Sequence, residues 1–179
     1  MTTPSDIALF ARYNEWMNIK LYDTASKLSK EELLADRKAF FGSIQGTLNH
    51  IFIADIIWLK RFSHHPSNHP ALQVIQAMQD PRSLDELRLI DFAELTKQRH
   101  MLDSIILSWA NQLTNEDLDY VVHYRNMKGV PADKKLGSLL LHFFNHQTHH
   151  RGQVTTLLTQ CGLDVGITDL QALIPDAAE

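Results

Sequence analysis

The sequence predicts an all-α protein: a four-helix bundle with a longer crossover before its last helix. Three observations carry this. Apolar residues recur at three- and four-residue steps along four long stretches, the spacing of one helix face. There is no strand–helix–strand alternation and no Gly-rich phosphate loop, which argues against nucleotide-binding α/β folds. No internal repeat or low-complexity tract interrupts the 179 residues, a length that suits one domain, 1–179, with a sizeable core.

The first helix opens at Thr3-Pro-Ser-Asp6, with a capping Thr, Pro at the first helical position and an acid in the first turn. Ile7, Phe10, Asn14, Met17, Leu21 and Leu28 follow on one face. Asn14 breaks an otherwise apolar seam, either as a register device or as part of a polar site. The second helix runs from near Ser43 to about Phe62. Its stripe of Ile44, Leu48, Ile51, Trp58, Leu59 and Phe62, widened by Phe52, Ile53 and Ile57, predicts burial on most sides. His64-His-Pro-Ser-Asn-His-Pro70 then reads as a surface loop with solvated histidines at 64, 65 and 69. The third helix opens at the capping-box pattern Ser83-Leu-Asp-Glu86 and continues to about residue 112 through Leu84, Leu87, Leu95, Leu102, Ile105 and Trp109. The stretch from Tyr120 to Pro131 alternates and then turns, as a short hairpin or an irregular crossover. The fourth helix runs from near Leu136 to Cys161-Gly162, with Gly at the stop. The tail after Gly166 reads as a loose segment or a short cap.

Composition narrows the function classes. With 17 basic and 21 acidic side chains, the net charge of −4 offers no electrostatic reason for a nucleic-acid or anionic-membrane partner. One Cys makes neither an internal disulfide nor a Cys-rich zinc site. The start lacks a basic segment followed by an apolar run, and the most apolar stretch, Ile51 to Leu59, is broken by Asp55. A soluble, cytoplasmic protein is the expectation.

Histidine stands out: ten in all, four of them between His142 and His150. On a helical wheel Leu136, Leu139, Phe143, Val154, Leu157 and Cys161 share a face. His150 lies near its middle and His146 just to one side, while His142 sits on the border and His149 points away. Two imidazoles four residues apart thus project into the expected core, which is costly unless their nitrogens find partners. The spacing is also how one helix supplies two metal ligands. His50, at the edge of the second helix's stripe, offers a third. Three histidines with an open fourth position is the catalytic rather than the structural zinc pattern.

Other motifs are absent: no His-Glu-x-x-His and no Glu-x-x-His pairs, which sets aside zinc peptidases and di-iron carboxylate bundles. Asp55, inside the second helix's stripe, either orients a ligand or pairs with a buried Arg, Tyr or Asn. Gln147, Arg151 and Gln153 flank the candidate ligands, with Arg151 read as a surface residue or a contact for an anionic substrate. Gly152 in mid-helix suggests close approach of another helix. His100 and His123 have no evident partner.

These motifs resemble a known family. Residues 142–153, His-Phe-Phe-Asn-His-Gln-Thr-His-His-Arg-Gly-Gln, are similar to the signature of the DinB/YfiT-like metalloenzymes. Thr47-Leu-Asn-His-Ile-Phe-Ile-Ala-Asp-Ile-Ile-Trp-Leu-Lys-Arg61 resembles the family's second-helix motif, and Tyr13-Asn-Glu-Trp-Met-Asn18 its first. The resemblance implies a four-helix bundle that dimerises, and a divalent metal held by histidines matching His50, His146 and His150. Some relatives transfer low-molecular-weight thiols or isomerise thiol adducts. The family name comes from damage-inducible genes.

The expectation is a metal-dependent enzyme, a transferase or isomerase acting with a low-molecular-weight thiol. Zinc or nickel is the first choice of ion, and iron, cobalt, manganese or copper is also compatible with imidazole ligands. The alternative is a non-catalytic metal-binding bundle of the damage response, its ion stapling helices two and four. A DNA-binding role has only the family name behind it, and the acidic balance counts against it.

Overall fold

Thr3, Ser29, Ser43, Asp91 and Thr114 each hold extended backbone just ahead of a helix and accept hydrogen bonds from its first free N–H groups. Thr3, Ser29 and Thr114 complete capping boxes with Asp6, Glu32 and Asp117. The structure is a computed structural model that describes residues 2–81, 83 and 91–176. The helices are α1 (Pro4–Ala25), α2 (Lys30–Leu34), α3 (Ile44–Phe62), α4 (Gln73–Ala77), α5 (Phe92–Ala110), α6 (Asn115–Asp119) and α7 (Leu136–Gln160). One antiparallel hairpin, β1 (Val121–Arg125) and β2 (Pro131–Lys135), precedes α7.

The four long helices form the expected all-α bundle. α1 packs on α5 and α7, α3 packs on α7, and α3 closes more sparsely on α5. Ile7, Leu21, Leu48, Phe62, Trp109 and Phe143 are among the side chains buried between them. Each contributes roughly 1.5–3 kcal/mol by leaving water. Phe62 stacks on Trp109 at 5.4 Å and meets Phe143 edge-on at 6.0 Å, joining α3, α5 and α7.

The crossover before α7 is a hairpin. Asn126 Oδ1 accepts from the N–H groups of Lys128 and Val130, and Gly129 takes a φ of 76°, which closes the turn. His123, without a partner in the sequence reading, pairs across the hairpin with Asp133 at 2.7 Å. The short helices α2 and α6 were not anticipated, because five residues establish no apolar periodicity. α5 is capped at Asp91. Of the expected start at 83–86, the residues after Ser83 lie outside the described residues. α7 stops at Cys161-Gly162, where Gly162 takes a φ of 78°.

Three local expectations are corrected. His65 and His69 are buried, not solvated, because Tyr120 and Trp109 pack against them. Arg151 is buried, not a surface residue. An added Cβ at Gly152 would meet nothing within 4 Å, so that glycine marks open space rather than a close approach. The tail after Gly166 is a cap: the Tyr13 hydroxyl donates to the Thr168 carbonyl at 2.6 Å, and Leu170 and Leu173 pack partly buried against the core. No helix among the described residues is long and apolar enough to cross a membrane.

Candidate metal centre

His50 sits in the second turn of α3, and His146 and His150 stand one turn apart on α7, the helix that α3 packs against. Their Nε2 atoms converge. His146 Nε2 is 3.2 Å from His50 Nε2 and 3.1 Å from His150 Nε2. Two imidazole nitrogens on one zinc ion at ~2.0–2.1 Å stand about 3.3–3.4 Å apart in tetrahedral geometry and roughly 2.8–3.0 Å apart in octahedral geometry. The observed separations fall between these. Among themselves three neutral imidazoles cannot satisfy such a cluster, since one N–H serves one lone pair. The donor set therefore fits a divalent ion.

The surroundings prepare these nitrogens. His150 Nδ1 and Gln153 Oε1 are 2.8 Å apart, so the amide oxygen accepts the Nδ1 proton and leaves the Nε2 lone pair facing its neighbours. Gln153 Nε2 in turn donates to His149 Nε2 at 3.2 Å. Burial, then the neighbouring His150 and His50, hold His146 down to about 3. Burial also lowers His150. Both imidazoles are thus neutral at neutral pH, as ligation requires.

Phe41 roofs the cluster, stacked on His50 with centroids 3.8 Å apart and edge-on to His150 at 5.4 Å. Its position depends on Gly46 in the first turn of α3. A Cβ there would stand 2.2 Å from the Phe41 carbonyl oxygen. On another side a groove of about 430 Å³ reaches His50 and His146. Ala54, Ile57, Trp58 and Arg61 line it from α3, His142 from α7, and Tyr124, Asn126, Met127 and Lys128 from the hairpin. From His50 to Arg61 that wall runs ~16 Å along the helix axis. The Arg61 guanidinium lies 4.5 Å from the Trp58 ring centroid and 4.8 Å from that of Tyr124, and it donates to the Arg125 carbonyl at 3.2 Å. It makes no ion pair among the described residues.

A buried charge network lies beside the histidines. Arg99 Nη1 meets Asp55 Oδ2 at 2.6 Å and Arg99 Nη2 meets Asp103 Oδ1 at 2.8 Å. Gln147 donates to Asp55, Asn14 and Asn18 donate to Asp103, and Arg151 donates to Asn14 and Thr148. Two arginines balance two aspartates, and all four long helices contribute. Burial pushes Asp103 up to about 6 against the pull of Arg99, and draws Arg151 down to about 10.

Of the residues singled out in the sequence, His50, His146 and His150 come together. Asp55 pairs with a buried arginine, and Asn14 belongs to the network. His142 lines the groove, edge-on to Trp58 at 5.3 Å. His149 is exposed and bonded to Gln153. Sequence reasoning missed Phe41, Asn18, Arg99 and Asp103. The last two had a signal: a four-residue Arg/Asp pair set among the core positions Leu95, Leu102 and Ile106.

Comparison with known proteins shows the family of the chain. The chain is 26% identical over 159 residues to Protein DinB of Bacillus subtilis (strain 168), an alignment covering 88% of this chain and 87% of that protein. No solved structure matches it. The profile of the DinB family matches residues 1–177, so the chain belongs to the DinB family.

Proposed function

We propose that this protein is a metal-dependent enzyme in which His50, His146 and His150 hold a divalent transition metal, zinc or nickel first. We further propose that it acts on a small molecule, as a transferase or isomerase working with a low-molecular-weight thiol. The carrying observation is the convergence of three imidazole Nε2 atoms at 3.1 and 3.2 Å, prepared by Gln153. A divalent ion bound there supplies Lewis acidity, lowering the pKa of a thiol or water that it touches. The chain's own residues do the rest: Gln153 keeps the His150 lone pair available, Phe41 shields one side from water, and the groove admits substrate from another.

The groove favours a catalytic site over a structural staple, whose ligands would be closed off. Arg61, half-buried on two aromatic rings and without a carboxylate partner, supports a substrate with an anionic group some distance from its reacting atom. Family membership supports a homodimer as the working unit.

The test is cobalt-loaded protein titrated with thiols. Added 6-mercaptohexanoate should produce a sulfur-to-cobalt charge-transfer band; an unchanged spectrum would mean that the fourth position is closed and the staple reading holds. Arg61→Leu should weaken this carboxylated thiol roughly tenfold, the scale of a charged hydrogen bond. It should leave 6-mercaptohexanol unaffected.

A further inference from the structure

We propose that His65, His69 and Asp117 form a second divalent-cation site, at the end of α3 away from His50. Twelve residues of helix, ~18 Å, separate His50 from Phe62, and His65 follows three residues later. All three side chains are buried, at 5%, 8% and 5% exposure, although a proline-broken loop supplies two of them. Their ligand atoms lie within 4.8 Å of one another.

The geometry centres on Asp117 Oδ1. It stands 3.7 Å from His65 Nδ1 and 3.6 Å from His69 Nε2. Both distances are too long for hydrogen bonds. They are the separations expected of ligands ~2.1 Å from one ion at angles of about 118–124°. His69 Nε2 is fully buried and has no hydrogen-bond partner, an expensive state for a ring nitrogen. The backbone N–H of Ser67 points at His65 Nδ1 from 3.1 Å, which marks Nδ1 as the lone-pair nitrogen. Binding transfers that lone pair from the amide to the ion.

The carboxylate is held in place for the role. Asp117 Oδ2 accepts from the Thr114 N–H and hydroxyl in the capping box, and Oδ1 accepts from Ser67 Oγ at 2.7 Å. One lone-pair direction of Oδ1 remains toward the two imidazoles. A groove of about 740 Å³ adjoins the cluster, and Glu116 on its wall favours a cation, while Asp119 beside it is paired with Lys135 at 2.6 Å. Water from the groove completes the coordination shell. Two imidazoles and one carboxylate suit zinc, cobalt, nickel, iron or manganese. The bound ion pins the loop after α3 to α6, the element that leads into the hairpin lining the substrate groove.

The experiment is stoichiometry on the full-length, tag-free chain, stripped with chelator and titrated with Co(II). Wild type should take two equivalents, and His150→Ala and His69→Gln one each. Asp117→Asn, which keeps a capping side chain but removes the charge, should also take one. Co(II) should raise the Tm of His150→Ala protein but not of the His150→Ala/Asp117→Asn double variant, a comparison independent of how well His69→Gln folds. A single equivalent that disappears in His150→Ala overturns this second site and leaves the three-histidine site standing. A single equivalent that disappears only in His69→Gln or Asp117→Asn does the reverse.

Discussion

A buried imidazole ligates only when neutral, and the surroundings of His146 enforce that state. Burial holds its folded pKa at about 3 against an ordinary 6.5. Because the folded value is depressed, the stability it contributes is present above pH 6.5 and is lost as pH falls from 6.5 toward 3. Metal content followed by equilibrium dialysis across this range should fall on acidification and recover on return to neutrality. The hydrogen bond from His150 to Gln153 is a second control. Gln153→Leu should lower metal affinity ~10–100-fold while preserving helicity, whereas His149→Ala, at the outer end of that chain of bonds, should leave it unchanged. The charge network answers to a different measure. Arg99→Ala strands Asp55 and Asp103 in a buried setting and should cost about 3–5 kcal/mol in urea unfolding.

Single elements were legible where their signals are local. The caps at Thr3 and Ser43 and the stop at Gly162 depend on residues within one turn, and α1, α3 and α7 lie where those residues put them. His146 and His150 were legible for the same reason, since helical spacing alone puts them on one face. What failed depended on partners distant in the chain. His65 and His69 sit in a loop that local rules place in water, and Trp109 and Tyr120 bury them. Asp55 could be narrowed to two roles, but only the packed structure brings Arg99 to it across 44 positions. The turn before α3 adds a test at this scale. Gly46→Ala gains ~1 kcal/mol of helix propensity, but the new Cβ meets the Phe41 carbonyl at 2.2 Å. The clash should dominate, destabilising the protein by roughly 1–3 kcal/mol net. Metal affinity should weaken with it, because Phe41 must move off His50.

Across the whole molecule, the four long helices meet twice, once through apolar side chains and once through the Asp55–Arg99–Asp103–Arg151 network. Fold stability therefore has its own source, and the histidine triad opens onto a groove instead of serving as the core. Chelation should lower Tm only modestly, in contrast to small metal-nucleated domains that unfold without their ion. The central claim is that His50, His146 and His150 hold one ion together. Elemental analysis of tag-free protein tests it most directly, comparing wild type with His150→Ala at matched helicity by circular dichroism. The account predicts that His150→Ala loses one equivalent of divalent metal per chain while remaining folded. An unchanged metal content in folded His150→Ala protein would contradict it.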